Sequence, residues 1–176
     1  MVPRLVQGGC VLRAWRPDDV DALAAIANDW RIARNLTHLF PHPYTRDDAV
    51  SWVTASSLRP ELRAWAIEAG GALAGGCGLV FGEGVFHRTA EIGYWLGVAH
   101  WGRGLATAAT TAVAEWAFAS TTIERLEAAV YAWNPASMRV LEKCGFRREA
   151  VLRRSVERDG QVIDRMLYAR LRCEPA

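Results

Sequence analysis

What this 176-residue chain lacks narrows its chemistry before anything it contains. No apolar run approaches the roughly 18 residues needed to cross a bilayer, and Met1 to Gly9 shows no basic start followed by an apolar core, so neither a membrane partner nor a secretory leader is expected. Charge of either sign is not in excess, the formal net value being +2. The basic residues are nearly all arginine and lie scattered, without the contiguous stripe that grips a polyanion, so no nucleic-acid partner is expected. Cys10, Cys77, Cys144 and Cys173 stand far apart, with no C-x-x-C pair and no histidine at a zinc-ligand spacing. They read as buried or free thiols of a reducing compartment, which makes a soluble cytoplasmic protein without a metal the expectation. The chain also has no G-K-S/T of a P-loop. GRGLAT lacks the third glycine and downstream acid of a dinucleotide fingerprint, which disfavours a nicotinamide-dependent oxidoreductase.

What is there is enough apolar sequence, 51% of residues, to bury one core and too little chain for two. A single domain over residues 1–176 is expected. CVLRAW alternates like a strand, and PDDVDALAAIAN follows with proline and acids opening an Ala/Leu-rich helical pattern. DWRIARNLTHLFPHPYT, broken by Pro41 and Pro43, reads as a short helix and a loop. A helix over 46–57 precedes LRAWAIEA and ALAGGCGLVF, two strands turning at Gly70-Gly71. HRTAEIGYWLGV is another strand, and LATAATTAVAEWAFAS carries a helical stripe of Leu105, Ala109, Val113 and Trp116. IERLEAAVYAW is strand-like, NPASMRVLEKCG a short helix, and the remainder two strands joined at Asp159-Gly160. The order is β-α-α-β-β-β-α-β-α-β-β, an α/β class chain.

The junction HWGRGLATAAT raises the functional question, because a strand gives way there to two glycines around one arginine. The first turn of a helix leaves about four N–H groups without partners and concentrates roughly half a positive charge. Gly102 and Gly104 have no side chains to bar an anion from those amides, Ala106 and Thr107 add little bulk, and Arg103 offers a charge-assisted contact from the rim. The alternative is a tight strand-to-helix turn that binds nothing. In NPASMRVLEKCGF, Asn134 suits an N-cap, Pro135 the first helical position and Gly145 the left-handed residue after the helix. Ser137, at the third helical position, either bonds the local backbone or turns its hydroxyl to the open end of the preceding strand.

EIGYWLGVAHWGRGLATAATTAVAEWAF followed by NPASMRVLEKCGF resembles the GCN5-related N-acetyltransferases (GNAT), and within them the ribosomal-protein N-terminal acetyltransferases of the RimJ/RimL type. The family's acetyl-CoA signature, Gln/Arg-x-x-Gly-x-Gly/Ala, maps onto Trp101-Gly102-Arg103-Gly104-Leu105-Ala106, with Trp101 replacing the usual Gln or Arg. The amino-terminal NDWRIARNLTHLFPHPYTRDDAVSWV and the Asp-Gly hairpin are similar to the same branch, so the resemblance covers nearly the whole chain. It implies a strongly twisted, mostly antiparallel mixed sheet with helices on both faces, whose fourth and fifth strands, EIGYWLGV and IERLEAAVYAW, splay apart around the pantetheine arm of acetyl-CoA. It also implies a cosubstrate, acetyl-CoA, and an acceptor amine borne by a protein N-terminus or a small molecule. A non-catalytic acetyl-CoA sensor is the alternative, and a homodimer is compatible with either.

The implied reaction is direct attack of a neutral amine on the thioester. By resemblance, backbone N–H groups at Leu96 to Val98 receive the oxyanion and the arm, residues 102–107 hold the diphosphate, Asn134 bonds the arm, and Ser137 protonates the leaving thiolate. Glu91 is the candidate base, acting through water; its competing role is a surface carboxylate paired with an arginine. His87 and His38 are alternative bases. Trp30, Arg34, Phe40 and Tyr44 are candidates to shape the acceptor side or simply to pack. Arg31 and Arg34 tilt the acceptor away from polyamines.

Overall fold

In the computed structural model, which describes residues 2–172, the amino-terminal alternation forms two short antiparallel strands, β1 (Leu5–Gln7) and β2 (Cys10–Arg13). β1 is an addition to the expected order, because three residues carry too short an alternation to read. A proline-led turn at Pro17–Asp19 starts α1 (Val20–Ala27), and α2 (Trp30–Ala33) follows it. Next comes α3 (Arg46–Leu58), where Thr45 and Asp48 close a reciprocal capping box. The chain then runs β3 (Leu62–Ala69), β4 (Ala72–Phe81), β5 (Thr89–Leu96), α4 (Leu105–Ser120), β6 (Arg125–Tyr131), α5 (Pro135–Lys143), β7 (Arg147–Arg158) and β8 (Gln161–Leu171). Asp159 and Gly160, with φ of 55° and 72°, make the left-handed pair that a two-residue hairpin requires.

The strands form one eight-stranded sheet in the order β1-β2-β3-β4-β5-β6-β8-β7. Every neighbouring pair is antiparallel except β5 and β6. Because of β1, these are the fifth and sixth strands in chain order and not the fourth and fifth. A parallel pair needs a crossover, and α4 supplies it.

Period-two alternation sends one set of side chains to each face. Leu12, Trp65, Ile67, Leu79, Ile92 and Leu126 meet Leu105, Ala109 and Val113 of α4 on one face. Trp116, the last residue of the expected stripe, lies edge-on to Trp65 at 5.1 Å. Ala109, Ala112, Ala114 and Ala117 of α4 are buried, so the helix lies close against the sheet. Trp15, Leu23, Ala27, Ala49, Ala64 and Ala66 form a second core on the other face, beneath α1 and α3. Each fully buried Leu, Ile or Val contributes about 1.5–3 kcal/mol. One charged cluster is buried with them: Arg13 donates to both Asp19 oxygens at 2.8 Å and to Glu68 at 2.8 Å. Cys10, Cys77 and Cys144 are free, buried thiols; Cys173 lies outside the described residues. Among the described residues no helix is long and apolar enough to cross a membrane, and no cluster of His, Cys, Asp and Glu has a metal-binding arrangement.

Candidate active site

Two neighbouring strands that stop pairing create the site. β5 and β6 are in register only over Thr89↔Arg125, Ala90↔Leu126 and Glu91↔Glu127. Beyond that point β5 stays with β4 as far as Leu96↔Gly75, while β6 stays with β8 as far as Tyr131↔Arg165. A V opens between them. Alternate residues of a strand direct their amides to opposite neighbours, and the Gly97 N–H goes to Ala74 O at 2.9 Å. The N–H groups of Leu96 and Tyr94 therefore face the opening, where no strand meets them.

The glycines of β4 bring that strand unusually near to β5. A Cβ on Gly75 would lie 2.1 Å from Trp95 O and 2.8 Å from Leu96 Cα. Any larger residue at position 75 would displace the segment of β5 whose amides face the V.

Past Leu96 a single turn, Val98–His100, leads into the glycine pair. Gly102 and Gly104 have φ of 73° and 77°, in the left-handed region that favours glycine. The side on which a Cβ would project is open at both residues. Gly104 is also the residue before α4, so no side chain caps that helix. Ala108 N–H reaches Gly104 O at 3.0 Å, the first intrahelical bond, which leaves the N–H groups of Leu105, Ala106 and Thr107 without intrahelical acceptors. The first turn of α4 carries no acid, whereas α3 places Asp47 and Asp48 in its own. The positive end of α4 is thus uncompensated, as an anion site requires. Leu105 itself is buried in the core, so only its backbone is available. Trp101, where the motif would place Gln or Arg, donates its indole N–H to Leu96 O at 2.8 Å and ties the turn to the strand end. Arg103 stands exposed at the rim, 3.3 Å from His100 Nδ1.

The second strand of the V leads into α5. Asn134 Oδ1 accepts from Ser137 N–H at 3.1 Å, so its oxygen caps the helix. The Ser137 hydroxyl lies 2.9 Å from the Tyr94 hydroxyl, which also contacts Ser137 O at 3.0 Å. The two oxygens bridge β5 and α5 across the V. Burial pushes the Tyr94 phenol well above its ordinary value, against the lowering effect of the Ser137 bond, so Tyr94 is a neutral donor at physiological pH. Tyr94 is the residue that reading the sequence missed. Its signal is a polar-tipped aromatic at a core-facing strand position, whose hydroxyl needs a partner.

On the other face of the sheet, Glu91 and Glu127 stand side by side at the apex, since residues paired in a parallel ladder project to the same side. The Glu91 carboxyl is raised above its ordinary value by burial, then by Glu127, with Arg165 acting in the opposite sense. No ion pair of Glu91 is found among the described residues, while Glu127 accepts from Arg125 at 3.0 Å and Glu149 from the same arginine at 2.6 Å. His87 is held by Gly84 O at 3.0 Å in the loop before β5, and His38 is exposed on the loop after α2. His87 therefore stands at the paired end of β5, opposite the opening. Phe40 and Tyr44 meet at 4.9 Å with their rings tilted by 40°, and Phe40 meets Trp95 at 5.3 Å, joining the core beneath α1 and α3. Trp30 and Arg34 remain at the surface on that side.

The donor set fits a long anionic thioester. It comprises an uncapped helix end of the kind that suits a diphosphate, strand amides of the kind that suit an amide-bearing arm, and a hydroxyl pair between β5 and α5. The family description "Acetyltransferase (GNAT) domain" matches residues 10–147. The "Probable N-acetyltransferase YjcK" of Bacillus subtilis (strain 168) is 43% identical over 82 residues, 47% of this chain and 45% of that protein. That match spans just under half the relative's length. Among solved structures, Mycobacterium smegmatis RimJ in complex with CoA-disulfide is 28% identical, covers 97% of this chain and 86% of its own, and superposes with a TM-score of 0.83. An acetyltransferase of the GNAT family from Bacillus anthracis, 22% identical, covers 98% of this chain and 100% of its own at a TM-score of 0.85, a likeness of fold.

Proposed function

Given that the chain belongs to the acetyltransferase (GNAT) domain family, we propose that it transfers the acetyl group of acetyl-CoA to a primary amine by direct attack on the thioester. The observation that carries this reading is the V between β5 and β6, with the uncapped amino terminus of α4 at its mouth and the Ser137–Tyr94 hydroxyl pair on its wall. In this reading, the N–H groups of residues 102–107 receive the diphosphate and Arg103 adds a contact from the rim. The Leu96 and Val98 amides receive the arm and the developing oxyanion, and Asn134 borders the arm while capping α5.

Two proton movements are then needed. The amine arrives mostly as an ammonium, since alkylammonium groups titrate at about 8 to 10. Glu91 is reachable by solvent, and its carboxyl is raised above its ordinary value by desolvation and then by Glu127, so it takes the proton directly or through water. The departing sulfur needs a hydrogen. Ser137 donates its own and regains one from solvent once CoA has left, while Tyr94, whose hydroxyl is in contact at 2.9 Å, holds the Ser137 hydroxyl in place. Burial keeps Tyr94 neutral, so its hydroxyl stays a hydrogen-bond partner of Ser137.

The acceptor of this reading is a peptide or protein amino terminus. A screen of thiol release from acetyl-CoA over peptides and small amines tests it. Amine-dependent release is the expected result; acetyl-CoA binding without release for any amine would leave the chain a sensor and overturn the catalytic reading.

A further inference from the structure

The end of β5 turns two main-chain groups toward the V, and one of them is already taken. The bond from Gly97 N–H to Ala74 O at 2.9 Å lies next to the Gly75↔Leu96 pair. Two residues flanked in this way in an antiparallel ladder direct both N–H and C=O away from each other. Leu96 therefore aims a donor and an acceptor at the opening. Trp101 takes the acceptor, its indole N–H reaching Leu96 O at 2.8 Å.

Packing does not account for that contact, since Trp101 is 45% exposed and belongs to neither core. The other bonds of the segment are local: His100 N–H to Gly97 O at 2.9 Å, Trp101 N–H to Val98 O at 3.2 Å, and Arg103 to His100 Nδ1 at 3.3 Å. Among the described residues, the indole is the one side chain of residues 98–104 that hydrogen-bonds to β5. Gly102 and Gly104 follow it, left-handed and with open space where a Cβ would be, so no side chain of theirs holds the turn. The indole bond closes the 96–101 loop and fixes the glycine turn against the strand end.

The family signature places Gln or Arg where this chain has Trp, and the three side chains differ in size, charge and shape. What they share is an N–H donor on the ε nitrogen, four bonds from Cα in each. In this chain the strand-end carbonyl receives that donor.

We propose that Trp101 is a positioning residue for acetyl-CoA: its indole N–H, held on Leu96 O, keeps the amides of residues 102–107 in register with those of Leu96 and Val98, so that one cosubstrate engages both sets at once. The inference rests on the acetyl-CoA site of the reading above and adds a residue to it. A ligand anchored at two places binds only those molecules in which the anchors are correctly spaced, so a turn free to shift lowers its affinity.

Two pairs of side chains at position 101 separate the donor from the bulk. Trp and Phe both present a ring and differ in the N–H, while Gln and Met are unbranched chains of equal length that differ in the same way. Calorimetric titration with acetyl-CoA on the unaltered protein and on Trp101→Phe, Trp101→Gln and Trp101→Met reads the affinities, and thermal melts establish that each variant is folded. The expected loss is about threefold to tenfold from Trp to Phe and again from Gln to Met, with Gln tighter than Phe although it lacks the ring. Equal affinities within either pair, or Phe tighter than Gln, would overturn the proposal, since the ring and not its N–H would then be what matters. If one variant does not fold, the other pair decides. Should the unaltered protein not bind acetyl-CoA, the acetyl-CoA reading itself is refuted, and this inference with it.

Discussion

A single substitution at the start of α4 separates an anion cradle from an idle turn, because the two predict opposite balances of stability and affinity. Thr107 is the third residue of α4 and half-buried. Cα–Cβ bonds of a helix tilt toward its amino terminus, so a glutamate there in Thr107→Glu directs its charge at the free N–H groups. For the protein alone this is favourable. A carboxylate in the first turn contributes about 0.3–1 kcal/mol, and α3 already uses Asp47 and Asp48 in this way. In a chain of this size the melting temperature is expected to stay level or rise by about 1–4 °C. For a diphosphate at the same amides the carboxylate is a like charge at about 5 Å. With an effective dielectric near 20 that repulsion is about 3 kcal/mol for one pair of charges, equivalent to roughly a hundredfold loss of affinity. Calorimetric titration with acetyl-CoA and a thermal melt read both quantities on one preparation. A raised melting temperature with undiminished acetyl-CoA affinity would refute the placement of the diphosphate at residues 102–107.

Three further outcomes follow from the same geometry. Ser137→Ala is expected to lower kcat about tenfold or more with little change in acetyl-CoA affinity, and Tyr94→Phe to lower it less, since Ser137 still holds one proton; an unaltered kcat in both removes the hydroxyl pair from the thiolate step. The acid limb of kcat/KM is expected above the ordinary carboxylate range because burial and then Glu127 raise Glu91; Glu127→Gln moves that limb down without bringing it to an ordinary value, and Glu91→Gln abolishes it, as a pH profile of thiol release will show. Asp19→Asn leaves Arg13 half-compensated in a buried site and is expected to destabilise by about 3 kcal/mol in urea unfolding. The Asp19 carboxyl is lowered on balance, burial raising it and the Arg13 and Arg16 hydrogen bonds lowering it more. Its stability contribution is therefore present above the unfolded carboxylate range and lost as pH falls toward the folded value, a dependence absent from Asp19→Asn.

Local chemistry was legible in the residues themselves. Asn134 and Pro135 open α5, Gly145 closes it with φ of 80°, and Asp159-Gly160 turns the last hairpin. Each of these acts within a few residues of chain, where backbone dihedrals and nearby hydrogen bonds decide the outcome. The glycine turn was visible for the same reason. The strand β1 escaped notice because its three residues acquire meaning only from the neighbour that pairs with them.

What the tertiary structure alone decided is which distant groups meet. The pairing of β5 and β6 stops after Glu91↔Glu127, and that leaves a V instead of a closed sheet, with two carboxylates at its apex. The Tyr94 hydroxyl reaches Ser137 over 43 positions of chain, and Arg158 reaches Ala33 over 125. No periodicity in the sequence encodes such contacts. They arise when packing on both faces of the sheet fixes where each strand ends, and buried polar tips must then find partners among whatever the fold has brought alongside.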